Sequence, residues 1–242
     1  MTGLIAISAA LGYLIGSVNF AVIVSRRHGI DILKAGSGNP GATNVKRVIG
    51  KGPGNLVFAL DALKGVAGAC LPLLVGYFHY LFIWQNPDAS SQKLLLYYFM
   101  ELRAHPQFLF GDSLFIASVA GFAGALLGHC FSCFIGFKGG KGVASTIGGL
   151  LVLLPVPIAI GAALWAVAFY TTRYVSVASL VLGLSLPVSC WVLPQVTSLR
   201  YGADAFWFSA AIAAFNVWTH RSNIARLLRG EESRFARKEP QS

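Results

Sequence analysis

Residues 142–172 read GVASTIGGLLVLLPVPIAIGAALWAVAFYTT, an uncharged stretch interrupted by Pro155-Val156-Pro157. Its reading decides the fold. As a single helix it would cross a membrane once, with two prolines near its middle. As two short helices turning at the prolines it crosses twice. An interior proline removes a backbone hydrogen bond and clashes with the preceding turn, and in lipid the freed polar groups need partners. The Pro-x-Pro break therefore favours two helices, 142–154 and 157–172. Both are short for a bilayer, which takes about 20 helical residues, so partial insertion or local thinning accompanies them.

The rest of the chain sets this stretch in context. Of 242 residues, 55% are hydrophobic and 12% charged, with a mean hydropathy of +0.65. A soluble domain carries about 25% charged residues. Residues 2–25 hold no charge, and 113–136 hold none except for His129. Uncharged runs of this length argue for membrane helices. Spans are expected at about 3–25, 55–80, 113–136, 142–154, 157–172, 175–198 and 204–220, followed by a basic tail at 221–242. The expected fold class is an all-α integral membrane protein with seven transmembrane helices, forming one polytopic domain over 1–242.

Charge placement orients it. With the N-terminus outside and the C-terminus cytoplasmic, the inner segments carry 15 of the 19 basic residues, among them Arg26, Arg27, Arg47, Lys138, Lys141, Arg173 and the tail arginines. Lys93, Arg103 and Arg200 remain outside, and Lys64 lies within a span. Positive residues flanking spans mark the cytoplasmic side. The net charge of +10 is thereby explained without nucleic acid. The opening MTGLIAIS lacks a basic leader region, so the first apolar run is expected to be a retained span. Cys70, Cys130, Cys133 and Cys190 fall in or beside apolar runs, where packing is the expected role; the Cys130-x-x-Cys133 pair has no second pair or histidines in zinc spacing. Residues 84–112, on the outside, suggest an interfacial helix.

Three polar patches fall on the cytoplasmic side. The first is Gly36-Ser37-Gly38-Asn39-Pro40-Gly41-Ala42-Thr43-Asn44-Val45-Lys46-Arg47, the second Phe137-Lys138-Gly139-Gly140-Lys141-Gly142-Val143-Ala144-Ser145, and the third His220-Arg221-Ser222-Asn223-Ile224-Ala225-Arg226. Taken singly, the first is a turn by composition, the second a pair of positive-inside anchors, and the third a solvated helix end. Together they supply glycines and helix ends that free backbone N–H groups, with cations and amides beside them. Free N–H groups form anion nests, a helix N-terminus adds positive potential, and arginine and lysine complement phosphate. This chemistry suits one or two phosphate dianions. A nucleotide P-loop is absent, because Gly140-Lys141 is followed by glycine.

The sequences GSGNPGATNVKR, GHCFSCFIGFKGGKGVAS and HRSNIARLLRGEE resemble the acyl-phosphate:glycerol-3-phosphate acyltransferase family (PlsY) of bacterial inner membranes. The resemblance covers most of the chain, with the motifs in order. It implies seven membrane helices with the motif loops on the cytoplasmic face, and transfer of a fatty acyl group from acyl phosphate to the 1-hydroxyl of glycerol-3-phosphate. It implies a functional link to the soluble enzyme that makes acyl phosphate, and no cofactor or metal. By the same resemblance Ser37 and Arg47 hold glycerol-3-phosphate or its reacting end, Lys141 is a cationic clamp, and His220 and Asn223 complete the site. Composition adds Asn39, Thr43 and Asn44, with Gly36, Gly38 and Gly41, as lining of a phosphate pocket, and Lys138, Gly139, Gly140, Gly142 and Ser145 as further substrate-binding positions. Family members commonly have proline and threonine where this chain has Ser132 and Ser145.

A general base is harder to find. The cytoplasmic carboxylates Asp31, Glu231, Glu232 and Glu239 are expected to lie outside each motif's polar core. His220 is a candidate for proton transfer, yet the phosphate oxygens of an acyl phosphate could take the hydroxyl proton, leaving His220 to bind. No histidine is followed by aspartate five residues on, and no G-x-S-x-G elbow is present, so direct noncovalent transfer is expected. Asp61 and Lys64, three apart in a span, pair on one face, either as a mutually neutralised pair or as a support for the site. The rival reading is a small transporter of phosphate or a phosphorylated metabolite. Transporters tend to show repeated halves with helices broken near the midplane, and no repeat is evident here.

Overall fold

The computed structural model describes residues 2–85, 112–199 and 201–235, and the backbone alone at 76–85 and 112–114. The interfacial helix expected at 84–112 falls almost wholly outside the described residues. Among the described residues the structure is helical, with one isolated bridge between Ser132 and Lys138. The helices are α1 (Thr2–Ser17), α2 (Phe20–Arg27), α3 (Ala42–Val48), α4 (Lys51–Gln85), α5 (Asp112–Cys130), α6 (Val143–Leu153), α7 (Pro155–Thr172), α8 (Val175–Val196), α9 (Ala203–Thr219) and α10 (Arg221–Leu228). Two compact units arise, Met1–Leu154 and Pro155–Ser242.

The stretch 142–172 is two helices. α6 ends at Leu153 and α7 begins at Pro155, so both prolines sit in the first turn of α7, not between the helices. There the missing N–H costs nothing, because a first-turn N–H has no intrahelical acceptor. The first apolar run is also divided. α1 stops at Ser17, and α2 restarts under Asn19, whose Oδ1 accepts from the Val22 N–H at 3.0 Å. Among the described residues, four segments are long and apolar enough to cross a membrane: Thr2–Arg27, Lys51–Val75, Pro155–Thr172 and Val175–Val196. Phe115–Cys130 and Val143–Leu153 are shorter apolar helices.

In the first unit α1 packs on α5, and α4 packs on α5 and α6. The helices touch backbone to backbone where glycines line up. A Cβ on Gly12 would strike the Gly121 carbonyl, and one on Gly148 would strike the Ala62 carbonyl. Small residues at such crossings allow the close approach that drives helix association in lipid. Beneath the first polar patch, Ala21, Val22, Val24, Ile32, Val45 and Val57 form a buried cluster with Leu33 and Val48 packed against it. This cluster anchors α2, α3 and the start of α4 to one another.

In the second unit α8 packs against α7 and α9. The segment after α10 returns to the α7–α8 turn. Arg234 Nε donates to the Thr172 carbonyl at 3.1 Å, the Phe235 N–H donates to the Arg173 carbonyl at 3.1 Å, and the Arg234 guanidinium lies over the Tyr174 ring.

Candidate active site

The first motif is a loop stitched by one side chain. Asn44, on α3, is 1% exposed. Its Oδ1 accepts from the Ser37 N–H at 2.9 Å, and its Nδ2 donates to the carbonyls of Ala35 at 2.9 Å and Ile32 at 3.4 Å. The loop wraps closely enough that a Cβ on Gly36, already at φ +60°, would collide with Asn44 Oδ1 and Val48. Asn44 therefore spends its hydrogen bonds on the loop itself. Ser37 and Arg47 are exposed, while Asn39, Gly41 and Thr43 are half-buried. The Ser37 hydroxyl is thus presented by a loop whose shape Asn44 holds, and the Arg47 guanidinium by α3, one turn after Asn44.

The second motif hangs from the end of α5. The Phe137 N–H donates to the Ser132 carbonyl at 2.8 Å and the Ser132 N–H to the Lys138 carbonyl at 3.2 Å, closing a tight hairpin. Its reversal uses left-handed backbone at Gly136 and at Phe137 (φ 56°). Ser132 Oγ donates to the Ser17 carbonyl, and Tyr13 Oη to the Phe131 carbonyl, tying the hairpin to the end of α1. The chain then runs through Gly139 and Gly140 against α5, with the Gly140 N–H donating to the His129 carbonyl at 3.1 Å. Gly142, at φ +82°, opens α6 without a capping side chain. The first-turn N–H groups of α6 have no intrahelical acceptors and carry the positive end of the helix dipole. Lys141 is half-buried beside them and Lys138 is exposed. Ser145 is fully buried, and its hydroxyl has no hydrogen-bond partner among the described residues. This loop can cradle a phosphate dianion with two ammonium groups and a helix N-terminus.

The third motif lies in the second unit, at the α9–α10 junction. His220, 3% exposed, contacts the Asn216 carbonyl through Nδ1 at 2.9 Å. A carbonyl oxygen only accepts, so Nδ1 carries the hydrogen, and in the neutral ring Nε2 is the acceptor nitrogen. Asn223, 6% exposed, donates through Nδ2 to Glu232 Oε1 at 2.6 Å, and Arg226 Nε donates to Glu232 Oε2 at 2.8 Å. The expectation that no cytoplasmic carboxylate enters a motif's polar core fails at Glu232. Its place follows from the turn after α10, which carries the chain back so that the carboxylate meets two residues of the preceding helix. The Glu231-Glu232 pair after Gly230 was the available sequence signal. Burial alone would raise the Glu232 carboxyl, but hydrogen bonding from Asn223, Arg226 and Ser176 and the charge of Arg226 together outweigh it and hold the group below the usual carboxylate range.

A second residue that sequence reading left aside is His129. Asp61 and Lys64 pair as expected, with Lys64 Nζ 2.9 Å from Asp61 Oδ1, and His129 Nδ1 joins the same oxygen at 3.5 Å. All three are buried.

A family model described as glycerol-3-phosphate acyltransferase matches residues 6–230, which include all three motifs. The chain belongs to the glycerol-3-phosphate acyltransferase family. A glycerol-3-phosphate acyltransferase of Agrobacterium fabrum (strain C58 / ATCC 33970) is 37% identical over 238 residues, covering 97% of this chain and 94% of the relative. One from Halalkalibacterium halodurans is 36% identical, covering 93% of each. Among solved structures, the glycerol 3-phosphate form of PlsY (YgiH), an integral membrane glycerol 3-phosphate acyltransferase, superimposes with a TM-score of 0.72 at 30% identity, covering 96% of both chains. The lysophosphatidic acid form of PlsY gives 0.70 at the same identity. The family match spans nearly the whole chain.

Proposed function

We propose that this chain transfers a fatty acyl group from acyl phosphate to the 1-hydroxyl of glycerol-3-phosphate, releasing lysophosphatidic acid and inorganic phosphate. The observation that carries this reading is the second motif. Lys138, Lys141 and the first turn of α6 make a cradle for a phosphate dianion, in a family whose solved member was captured in glycerol 3-phosphate and lysophosphatidic acid forms.

Two dianionic substrates repel each other, and the site residues answer that repulsion. Gly139, Gly140 and Gly142 let the backbone approach a phosphate, and Lys138 and Lys141 supply charge. Ser37 and Arg47, with Asn39, Thr43 and the glycine amides of the first loop, bind the other phosphate and orient its glycerol end. Asn44 holds that loop in shape. Buried Ser145 Oγ supplies a hydroxyl at the start of α6. Orientation of this kind, with fixed charges and dipoles, is the principal catalytic resource available.

In the reaction, the 1-hydroxyl oxygen bonds to the acyl carbon and the bond from that carbon to the phosphate oxygen breaks. The hydroxyl proton ends on the departing phosphate, which is itself the base. His220 Nε2 accepts a hydrogen bond from the neighbouring 2-hydroxyl, which orients the glycerol and leaves the single hydrogen of the 1-hydroxyl for the phosphate oxygen. Asn223, held by Glu232, adds a polar contact from the same motif. No residue forms a covalent intermediate.

The same reading makes the chain a seven-span protein of the bacterial inner membrane, with an outside N-terminus, a cytoplasmic C-terminus and motif loops facing the cytoplasm. The 15 inner basic residues support that orientation. Acyl phosphate would come from a soluble acyl-phosphate-forming enzyme. The deciding experiment supplies purified protein in detergent with labelled glycerol-3-phosphate and either palmitoyl phosphate or palmitoyl-CoA. Labelled lysophosphatidic acid is expected from the phosphate donor alone. Product from the thioester instead would overturn the donor assignment, and product from neither, with folded protein, would favour a transporter.

A further inference from the structure

Buried charge inside an apolar helix bundle needs a reason. Asp61, Lys64 and His129 are 2%, 3% and 4% exposed, and an ionisable residue within a span is a functional candidate by default. Mutual neutralisation accounts for Asp61 and Lys64, but not for where the group reaches.

It reaches in two directions. Lys64 Nζ, 2.9 Å from Asp61, also donates to the Val18 carbonyl at 3.0 Å and lies over the Phe20 ring. Val18 is in the break between α1 and α2, so the ammonium group satisfies a carbonyl that the broken helix leaves without a partner. From α2 the chain runs through the buried cluster into the first motif. On the other side, His129 Nδ1 faces Asp61 at 3.5 Å. The Nδ1 edge of the ring faces the carboxylate, and Nε2 lies on the opposite edge. Nε2 lies directly against Gly140: a Cβ there would overlap the imidazole. The Gly140 N–H is bonded to the His129 carbonyl as well. The backbone of the phosphate loop is therefore seated on one edge of a buried ring whose other edge faces Asp61.

We propose that Asp61, Lys64 and His129 form one buried positioning unit that sets the phosphate loop at Gly139–Gly142 in register with the helix break preceding the first motif. The unit touches neither substrate; it acts through the loop. Its kinetic readout rests on the acyltransferase reading.

The test uses the full chain in detergent, with KM and kcat measured for palmitoyl phosphate and glycerol-3-phosphate beside the melting temperature. His129→Ala removes the seat of the loop and should raise KM for at least one phosphate substrate tenfold or more, with kcat per folded molecule changed by less than threefold. His129→Gln restores a polar group on the loop side and should recover most of that rise. Removing Asp61 alone strands a buried cation and can prevent folding. The paired Asp61→Leu/Lys64→Met variant strands none, and it should fold yet share the KM defect. Unchanged KM with activity tracking the folded fraction would overturn the proposal, as would equal defects in His129→Ala and His129→Gln. If the wild type acylates with neither donor, the catalytic reading fails separately. Inorganic phosphate should then still raise the melting temperature of the wild type and not that of the paired variant; equal protection of both would overturn the positioning unit.

Discussion

Asn223 Nδ2 and Glu232 Oε1 lie 2.6 Å apart, and the other oxygen of the same carboxylate takes Arg226 Nε at 2.8 Å. One carboxylate therefore fixes both the amide expected to act in the third motif and the cation one turn further along α10. A hydrogen bond to a charged group contributes about 1.5–3 kcal/mol when well buried. The Glu232 side chain is 8% exposed, but Arg226 is 34% exposed, and screening at the arginine lowers its share. Glu232→Ala should lower the melting temperature and reduce kcat/KM at least tenfold. Glu232→Gln, which keeps one acceptor for Asn223, should lose less of both. Equal activity in the wild type and Glu232→Ala would remove Asn223 orientation from the mechanism.

The same carboxylate makes an acid-sensitive joint. Its folded-state affinity for a proton is depressed below the ordinary value of 4.5 because the donors Asn223, Arg226 and Ser176 and the charge of Arg226 together outweigh burial. A group depressed on folding stabilises fully above its unfolded pKa, and that stabilisation is lost as pH falls through the folded value. The sensitive window thus lies below pH 4.5. Acid titration of the melting temperature should show a steeper decline there for the wild type than for Glu232→Gln. Parallel curves would mean that Glu232 ionises alike in the folded and unfolded chains.

Asn44 offers a test in the first motif. Its amide makes three hydrogen bonds to the backbone of residues 32–37. Asn44→Ala strands these groups, and each buried orphan costs about 1–3 kcal/mol. The variant should melt well below the wild type and lose activity through disorder of Ser37. Asn44→Asp keeps the acceptor for the Ser37 N–H and loses both donors, so it should fall between. A stable Asn44→Ala enzyme with raised KM alone would instead assign Asn44 to substrate contact.

The legible part of this molecule was whatever local chemistry dictates. Pro155 and Pro157 announced the division of 142–172 because a proline cannot sit in a helix interior without leaving backbone groups unpaired. The turn from Gly36 to Gly41 and the opening of α6 after Gly142 were readable for the same local reasons. The break at Val18 carried almost no such sign. No proline or charge marks it, and Asn19 acts as a cap although it stands in an apolar run. The site's supports were harder still. His129 meets Asp61, and Glu232 meets Asn223, through tertiary approach. Helical spacing could pair Asp61 with Lys64 on one helix, but it has no term for a partner on another helix or beyond a turn.

The two lysines of the second motif should separate in experiment. Lys138 is exposed on the hairpin, whereas Lys141 is half-buried next to the first turn of α6. A charge-assisted bond to phosphate is worth about 2 kcal/mol in a shielded place and much less where water screens it. Lys141→Met should raise KM for a phosphate substrate by about 10- to 100-fold, each tenfold being about 1.4 kcal/mol. Lys138→Met should stay within about threefold at ordinary ionic strength. Comparable losses at both positions would mean that phosphate sits over the hairpin and not at the helix.

His220 tests who takes the proton. Its Nδ1 is committed to the Asn216 carbonyl at 2.9 Å, so the ring can meet a hydroxyl only through Nε2. If His220 were the general base, removing it would cost the about 10²–10⁴-fold that proton transfer by a positioned side chain contributes. If the departing phosphate takes the proton, His220 merely binds and orients the glycerol through its 2-hydroxyl. Gln places an amide where Nε2 lies and can still accept a hydrogen bond, but it cannot take up a proton near neutral pH. His220→Gln should therefore keep most of its saturated turnover while KM for glycerol-3-phosphate rises. A fall of turnover by a hundredfold or more, with glycerol-3-phosphate binding unchanged, would make His220 the base and end the substrate-assisted mechanism.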